Sequence, residues 1–362
     1  MKRKILLAMS GGVDSSAAAF LLRKNGDELV GGMMKLLTEE IVEGHSPHYN
    51  EGGRSCCTLS DAEDARNVAN SLGMPFYVFN FSEAFLGIMD SFVAAYGRGE
   101  TPNPCIECNR YMKFEKFLFR AAELECDFIA TGHYARIEKD ADGRFLLKKG
   151  VDDGKDQSYV LYAMTQEQLG RTLFPLGGMT KEEVREIAQA QGLINAKKRD
   201  SQDICFVPDG DYAGFIQSYT GKAARTGNFI NKSGEILGEH RGIINYTVGQ
   251  RKGLGLSAPN PLFVTRINAE ENTVTLGASE ELFTNRLTAA DINLIPVDSL
   301  NSKLRVQAKI RYAHAPQSAT IFQASANEIV AEFDTPQRAI TPGQAVVFYD
   351  GDIVIGGGTI LQ

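Results

Sequence analysis

The sequence lacks the features of a membrane protein and of a disulfide-rich secreted protein. No apolar run approaches the roughly 20 residues that a membrane-spanning helix needs. The apolar run at residues 5–9 is too short for the hydrophobic region of a signal peptide. Tryptophan is absent, and six cysteines among 362 residues are too few for a disulfide scaffold. These absences predict a cytoplasmic globular protein without a membrane partner.

The composition is that of an ordinary globular protein. Hydrophobic residues make up 43% of the chain and charged residues 23%, which is enough for two or three domains with their own cores. The net charge of −7 does not exclude a nucleic-acid partner, because such binding depends on local basic patches rather than on the average charge.

Short apolar strands alternate with helices through about the first two hundred residues. Asn25 and Gly26 are typical of a helix end, and Thr180 with Glu183 forms a capping-box pattern that opens another helix. The pattern predicts strands at residues 5–9, 29–34, 76–80 and 128–133, and helices at residues 15–24, 60–72, 82–96, 111–123 and 180–191. Alternation at this spacing predicts an α/β fold in which helices cover both faces of a parallel sheet.

The pattern changes after about residue 210. A helix is predicted near residues 211–219, followed by a hairpin at 228–240 and a glycine-rich loop at 245–257. From about residue 262 onward, short runs rich in Val, Ile, Thr and Phe predict a small all-β barrel. We therefore predict three domains: an α/β domain at 1–209, a central domain at 210–279 and a C-terminal β barrel at 280–362.

Residues 10–16, Ser-Gly-Gly-Val-Asp-Ser-Ser, lie between the first predicted strand and the first helix. A glycine loop at this point places backbone N–H groups and a helix N-terminus around an anion. Gly11 and Gly12 can adopt positive φ and let phosphate oxygens approach the backbone. Asp14 could hold a Mg²⁺ that bridges phosphates, or cap the helix. The chain has no Gly-Lys-[Ser/Thr] sequence, so the stretch predicts a nucleotide site other than the usual kinase or GTPase loop.

Two cysteines stand three residues apart in the stretch TPNPCIECN, at Cys105 and Cys108. A disulfide, a metal site and a reactive thiol all fit this spacing. In a reducing compartment, thiols at motif spacing are more often catalytic or metal-binding than structural. A further cysteine, Cys205, lies in the stretch DSQDICF. The remaining cysteines are predicted to be ordinary buried thiols: Cys56, Cys57 and Cys126.

The phosphate loop resembles that of the PP-loop ATP pyrophosphatases, which cleave ATP between the α and β phosphates and adenylate an oxygen of their substrate. Further stretches, matching in order and spacing over nearly the whole chain, resemble the tRNA-specific 2-thiouridylase family. They are TPNPCIECN, KFEKF (113–117), ATGHYAR (130–136), KDQSYVLY (155–162), KKRDSQDICF (197–206), YTVGQRKGLG (246–255), IRYAHAP (310–316) and TPGQAVVFYD (341–350). The resemblance implies that the first domain is a HUP-like, ATP-binding catalytic domain and that the barrel contacts tRNA.

The resemblance also implies the reaction, which is thiolation of the wobble uridine in tRNAs of the Lys, Glu and Gln type. ATP with Mg²⁺ would adenylate the uracil C2 oxygen, which makes AMP the leaving group. A persulfide on Cys205, received from a cysteine desulfurase or a relay protein, would supply the sulfur. Cys108 would be the nucleophile, and the two cysteines would end as a disulfide. Lys113, Arg110 or a helix N-terminus near residue 111 could stabilise the Cys108 thiolate.

The same resemblance implies which residues bind each substrate. Met34 would lie against the adenine, and Gly132 would let the nucleotide approach. The implied ATP-binding residues are Ala8, Met9, Ser10, Gly11, Gly12, Val13, Asp14, Ser15, Met34 and Gly132. The implied tRNA-binding residues are Asn103, Pro104, Cys105, His133, Lys155, Asp156, Gln157, Arg311, Tyr312 and Gln344. The first three of these would line the extruded base.

One position departs from the family, because many members carry Asp where this chain has Cys105. The resulting Cys-x-x-Cys pattern allows an iron–sulfur cluster held by Cys105, Cys108 and Cys205, with one open iron. Without a cluster, Cys105 would be a small polar neighbour of the target base.

Two other functions compete with thiolation. A PP-loop ligase that amidates a small metabolite would need a glutaminase domain or an ammonia channel, and it would need no thiols. Pyrophosphate release with small metabolites and without tRNA would support it. An RNA-binding module with a degenerate nucleotide site is the second alternative, and the intact SGGVDSS stretch argues against it. An ATP–pyrophosphate exchange assay would discriminate this module from an enzyme.

Overall fold

The computed structural model describes residues 2–38, 59–196, 198 and 204–361. The strands of its first part are β1 (Lys4–Ala8), β2 (Glu28–Lys35), β3 (Phe76–Asn80), β4 (Phe128–Ala130), β5 (Ala135–Lys139), β6 (Phe145–Lys149) and β7 (Thr172–Leu173). All of these except β5 and β6 form one parallel sheet in the order β3-β2-β1-β4-β7. The chain adds β2 and β3 on one side of β1, and β4 and β7 on the other. Ligands of open α/β sheets bind at such a reversal, beyond the carboxyl ends of the strands.

Helices cover both faces of this sheet, as the sequence predicted. They are α1 (Val13–Lys24), α2 (Leu59–Ser71), α3 (Ser82–Gly97), α4 (Pro104–Glu107), α5 (Phe117–Glu123), α6 (Gln166–Gly170) and α7 (Lys181–Ala190), with α8 (Tyr212–Thr220) following. Ile5 and Leu7 of β1 pack with α1, α2 and α7, whereas Leu6 between them packs with α3 and α5 on the opposite face. The capping box of Thr180 and Glu183 is confirmed at the start of α7. Among the described residues, none of the helices has both the length and the apolar composition required to span a bilayer.

One predicted helix begins at the wrong residue. The sequence pattern predicts a start near Tyr111, but the helix starts at Pro104 and continues through a π-helix at Cys108–Lys116 into α5. Asn103 caps this start, and Pro104 occupies the first helical position, where its missing N–H costs nothing. The cysteine-bearing stretch is therefore helical.

The central part is a four-stranded sheet, β10-β11-β8-β9. Its strands are β8 (Gly227–Ile230), β9 (Ile236–His240), β10 (Phe263–Asn268) and β11 (Thr273–Gly277). The predicted hairpin is confirmed in β8 and β9, and Gly234 in its turn has φ +86°. Phe229, Tyr246 and Val264 form part of its own small core.

The C-terminal part is a closed antiparallel barrel, which confirms the predicted fold class. Its strands are β12 (Phe283–Leu294), β13 (Leu304–Lys309), β14 (Gln317–Ser325), β15 (Glu328–Arg338), β16 (Ala345–Asp350) and β17 (Ile353–Ile360). They pair in the order β12-β15-β14-β13-β16-β17, and β12 also pairs with β17, which closes the ring. The β runs that begin near residue 262 are shared between this barrel and the central sheet.

The hairpin of β5 and β6 joins the N-terminal part to the barrel, a connection that the sequence analysis did not predict. β6 pairs with β17, where Lys148 lies opposite Ile353. Arg136 of β5 also forms an ion pair with Asp352 in the turn before β17. These contacts hold the barrel against the domain that carries the phosphate loop.

Candidate active site

The loop after β1 has the geometry of an anion-binding turn. Gly11 has φ +71°, Gly12 is extended with φ −89° and ψ 165°, and α1 begins at Val13. Ser15 Oγ donates to Gly12 O at 3.0 Å, and this hydrogen bond links the first turn of α1 to the loop. The N-terminus of α1 therefore faces the crevice at the carboxyl edge of the sheet, where phosphate groups bind in related topologies.

The other predicted ATP-binding residues lie at the same sheet edge. Gly132 follows β4, and an added Cβ there would meet the backbone of Asp14 and Ser15 at 3.0 Å. Met34 is half-buried near the carboxyl end of β2, the strand beside β1. The structure thus brings the loop, Met34 and Gly132 to one edge, and their binding of ATP stays a prediction.

We expect Gly11→Ala to disrupt the loop more than alanine at another glycine of positive φ. An added Cβ at Gly11 would lie 2.3 Å from the carbonyl oxygen of Asp61. This oxygen belongs to the backbone of α2, so a change of side-chain rotamer cannot relieve the clash. Positive φ alone costs a residue with a Cβ about 1–2 kcal/mol. The clash should add roughly 1–3 kcal/mol, in the range of overpacked sites.

Gly26 supplies the matched control, because its φ is +87° and no heavy atom lies within 4 Å of an added Cβ. Urea denaturation should show the smaller loss for Gly26→Ala and the larger one for Gly11→Ala, with ATP binding impaired only in the latter. Equal losses in the two variants would contradict the close approach of Gly11 to α2.

A lysine from another helix neutralises the carboxylate of Asp14. Lys181 Nζ lies 2.7 and 2.8 Å from the two Asp14 oxygens, and Tyr134 OH donates to Oδ1 at 2.7 Å. Lys181 is the first residue of α7 and is only 7% exposed. No sequence pattern predicts this pairing, because a lysine that opens a helix carries no signal of a partner 167 residues away.

This pairing bears on the two roles predicted for Asp14. Helix α1 is capped by Gly12, not by Asp14. Mg²⁺ commonly takes one or two carboxylates together with phosphates and water, but the Asp14 oxygens already accept bonds from Lys181 and Tyr134. Within the described ranges, no three His, Cys, Asp or Glu side chains are placed to hold a metal ion. Asp14 is therefore paired within the protein, and its contact with Mg²⁺ stays a prediction.

The stretch TPNPCIECN presents its two cysteines on consecutive helical segments. Asn103 Oδ1 accepts from the backbone N–H of Cys105 at 3.1 Å, and Pro104 is buried. Cys105 is exposed, whereas Cys108, the first residue of the π-helix, is half-buried. Asn103 and Pro104 therefore hold the segment that carries the thiols, which agrees with a place at the rim of a base site.

Cys205 packs against the same hydrophobic cluster as Cys108. The next residue, Phe206, makes edge-to-face contacts with Phe85 and Phe92 of α3 at centroid distances of 5.7 and 5.3 Å. Helix α3 also contacts α4 and the π-helix. The two predicted functional cysteines thus lie on one core, with α3 touching both of their segments.

The geometry does not support the iron–sulfur cluster that the sequence allowed. Such a cluster needs thiolates that converge on its irons. Cys105, Cys108 and Cys205 all belong to the described residues, yet no trio of ligating side chains converges among those residues. Cys126 is buried as predicted, and Cys56 and Cys57 lie outside the described ranges.

Lys113 of the π-helix reaches a buried histidine after β4. Its Nζ lies 3.5 Å from His133 Nε2, and Thr131 Oγ1 lies 2.7 Å from His133 Nδ1. Burial lowers the pKa of His133 well below 6.5, and the charge of Lys113 lowers it further. The ring is therefore neutral and accepts from the Lys113 ammonium. His133 is 8% exposed and contacts Lys113, and its predicted contact with tRNA stays a prediction.

The π-helix also explains why Lys113 belongs to the cysteine site. A π-helix bonds residue i to residue i+5, and Phe117 N–H donates to Met112 O in this manner. Cys108 and Lys113 are five residues apart and hence lie about one π-helical turn from each other. Arg110, the other predicted stabiliser of the thiolate, instead forms an ion pair with Asp291 of the barrel at 2.8 Å.

We expect the buried histidine to make the protein less stable at mildly acidic pH. The folded state keeps His133 neutral, because its pKa is depressed below the ordinary 6.5, whereas the unfolded chain binds a proton near that pH. Stability should therefore be full above pH 6.5 and fall below it, by up to about 1.4 kcal/mol per pH unit for this one group.

Urea denaturation between pH 7.5 and 5.5 checks this, with His133→Gln as the comparison. Burial also lowers the pKa values of His240 and His314, so the wild type keeps some acid sensitivity without His133. The variant should show a shallower loss than the wild type. Parallel curves would contradict the assignment to His133.

Predicted tRNA-binding residues from the first domain and from the barrel meet near Cys105. Tyr312 OH donates to the backbone oxygen of Asp156 at 3.2 Å, and Tyr312 as a residue is 44% exposed. Burial raises the pKa of Tyr312, the charge of Asp156 raises it further, and Lys155 opposes the shift. Lys309 Nζ lies 5.7 Å from the ring centroid of Tyr312. An exposed ring among cations is a surface on which an unpaired base can stack.

Other residues of the predicted set bind within the protein. Asp156 accepts from Ser158 Oγ at 2.9 Å, and Gln157 Oε1 accepts from the backbone of Tyr134 at 2.9 Å. Gln344 Nε2 donates to Thr101 O at 2.7 Å and links the barrel to the cysteine stretch. These side chains shape the junction between the domains, and Arg311 lies half-exposed beside it.

Three family models match successive parts of the chain. Models described as a tRNA methyl transferase HUP domain, a tRNA methyl transferase PRC-barrel domain and an aminomethyltransferase beta-barrel domain match residues 3–209, 213–278 and 284–360. The tRNA-specific 2-thiouridylase MnmA of Lachnoclostridium phytofermentans is 53% identical over 361 residues, which is 99% of this chain and 100% of that one. The protein of the same name from Clostridioides difficile is 52% identical, over 99% of this chain and 98% of that one.

Fold and site define a HUP-domain protein with a phosphate loop, joined to a PRC-barrel domain and a closed β barrel. More narrowly, the chain belongs to the tRNA-specific 2-thiouridylase family. The resemblance predicted from the sequence motifs is confirmed. The comparisons favour neither the small-metabolite ligase nor the RNA-binding module.

Proposed function

We propose that this chain is a sulfurtransferase that uses ATP to convert the wobble uridine of tRNA into 2-thiouridine. One observation carries the proposal: the segment after β4 touches the phosphate loop on one side and the cysteine-bearing π-helix on the other. Gly132 packs against Asp14 and Ser15, and the next residue, His133, contacts Lys113. This adjacency supports nucleotide activation and thiol chemistry in one crevice.

The chemistry follows from the weakness of the uracil C2 carbonyl as an electrophile. The C2 oxygen attacks the α-phosphorus of ATP, which forms an O–P bond and releases pyrophosphate. The terminal sulfur of a Cys205 persulfide then attacks C2, and AMP leaves with the former carbonyl oxygen. The Cys108 thiolate attacks the Cys205 sulfur, forms a disulfide and releases the sulfur on C2 as thiouracil. A cellular thiol reductant must reduce that disulfide before the next cycle.

The chain's own groups have distinct parts in this scheme. The N-terminus of α1 and the loop N–H groups hold the phosphates, with Asp14 neutralised by Lys181. Lys113, held by His133, provides positive charge for the Cys108 thiolate. The exposed ring of Tyr312 and the rim around Cys105 receive the extruded base. Mg²⁺ bound with ATP would offset the negative charge of the phosphates. A persulfide-bearing protein would transfer its sulfur to Cys205. The substrates would be cytoplasmic tRNAs of the Lys, Glu and Gln type.

The test combines purified protein, ATP, Mg²⁺, a persulfide donor and unmodified tRNA. Mass spectrometry of the digested tRNA should show 2-thiouridine, and pyrophosphate release should depend on tRNA. A wild-type protein that yields no thiouridine, or that releases pyrophosphate with small metabolites and no tRNA, would contradict the proposal.

A further inference from the structure

We infer that Asn195 and Lys198 are positioning residues for the ATP-dependent activation step. They hold the phosphate loop from behind, that is, from the side opposite the one that faces the phosphates. This rests on the proposed function, because it takes ATP to be the nucleotide bound at that loop. Both residues come from the stretch that leads to Cys205, and neither belongs to the loop itself.

Asn195 is anchored behind the loop. It is 3% exposed, and its Nδ2 lies 3.0 Å from Gly11 O, 3.2 Å from Gly12 O and 2.7 Å from Ser16 Oγ. Its Oδ1 is equally buried and has no hydrogen-bond partner among the described residues. A buried acceptor without a partner is costly. The hydrogen bonds that Nδ2 donates therefore explain why an asparagine occupies this position.

Lys198 adds a second anchor to the same carbonyl. Its ammonium lies 3.3 Å from Gly11 O, 2.7 Å from Asp61 Oδ1 and 2.6 Å from Asp64 Oδ2. The three N–H groups of one ammonium thus have three acceptors, two on α2 and one on the loop. Lys198 thereby fixes the loop to α2, against which Gly11 already packs closely.

Holding these two carbonyls determines where the loop N–H groups point. A trans peptide is planar, so its C=O and N–H groups point in opposite directions. The Gly11 carbonyl shares its peptide with the N–H of Gly12, and the Gly12 carbonyl shares its peptide with the N–H of Val13. When Asn195 and Lys198 hold the carbonyls from behind, both N–H groups point away from them, toward the anion side. The anchors therefore set the donor geometry for the phosphates of ATP.

The position of the anchors in the chain gives this arrangement a further consequence. Asn195 and Lys198 precede Cys205 by ten and seven residues. Lys198 belongs to the stretch KKRDSQDICF, which also carries the sulfur thiol, and Asn195 lies just before that stretch. Changes at these two positions should weaken the use of ATP without touching either cysteine.

The experiment measures ATP–pyrophosphate exchange with unmodified tRNA, as a function of ATP concentration. Asn195→Leu and Lys198→Met should each raise KM for ATP by roughly tenfold, the loss expected for one or two hydrogen bonds to a positioned group. Asn260→Leu and Lys232→Met are the matched controls, because both residues are exposed in the central domain. Lys198→Arg keeps donors and charge, so it should restore much of the wild-type KM.

A second measurement separates positioning from simple loss of structure. Titration calorimetry with adenosine and with ATP should show weaker binding of ATP and unchanged binding of adenosine, which lacks the phosphates. In Asn195→Leu, Gly11 O keeps Lys198 as a donor and Gly12 O keeps Ser15 Oγ, so the domain should stay folded and the contrast between ATP and adenosine should report the geometry of the loop. Equal weakening of adenosine and ATP, or an unchanged KM for ATP in both variants, would overturn the inference. A wild type without tRNA-dependent exchange would instead overturn the proposed function.

Discussion

Replacing Cys108 with serine is expected to lower the rate of thiouridine formation by a factor on the order of a thousand or more. A serine hydroxyl is not ionised near neutral pH and cannot attack a sulfur to release the product as a disulfide is formed. The π-helix places Lys113 about one turn from Cys108, where its charge favours the thiolate, and serine gains nothing from that charge. ATP–pyrophosphate exchange should survive within a few-fold, because the phosphate loop lies on the other side of the segment around Gly132.

The measurement compares both half-reactions for Cys108→Ser with those of Cys126→Ala. Cys126 is buried, and burial raises the pKa of its thiol, so it has the properties of a structural cysteine. Mass spectrometry should find thiouridine with Cys126→Ala and none with Cys108→Ser. Thiolation by Cys108→Ser at the wild-type rate would remove Cys108 from the mechanism, even if the family membership stands.

The parts of the site that could be predicted from sequence are those with local signals. Two glycines between an apolar strand and a helix predict the phosphate loop, and the structure confirms the strand–loop–helix arrangement. The helix at Pro104 also had a local signal, since Asn followed by Pro is typical of an N-cap and a first helical residue. Apolar helical spacing becomes clear only after Tyr111, so that pattern alone places the start of this helix too late.

The parts that could not be predicted depend on contacts between distant residues. Lys181 looks like any residue that opens an amphipathic helix, and only the packing of α7 against α1 brings it to Asp14. The same holds for Asn195, whose three acceptors lie at the other end of the domain sequence. The hairpin of β5 and β6 extends the barrel sheet beyond the closed ring and comes from a distant part of the sequence, so no local pattern predicts it. The proposed support of the ATP site thus comes from residues that only the topology brings to the phosphate loop.

Replacing Lys181 with methionine is expected to raise KM for ATP by about a hundredfold to a thousandfold. Lys181 pairs with both oxygens of Asp14 and is almost wholly buried, so methionine fills a similar volume but leaves a charged carboxylate in the first turn of α1. Two like charges about 4 Å apart repel by roughly 4 kcal/mol at an effective dielectric constant of 20. Because the side chain of Asp14 is 30% exposed, solvent should reduce that repulsion to the lower part of the range.

The double variant Asp14→Asn/Lys181→Met decides whether neutralisation is the reason. If Lys181 acts by cancelling the charge of Asp14, removing both charges should give a KM for ATP at least about tenfold lower than that of Lys181→Met alone. Steady-state exchange assays with tRNA supply the values, and Lys232→Met, an exposed lysine, should leave KM unchanged. A double variant no better than Lys181→Met would mean that Lys181 acts on the phosphates themselves. Another group would then have to offset the repulsion between the Asp14 carboxylate and the phosphates of ATP at the N-terminus of α1.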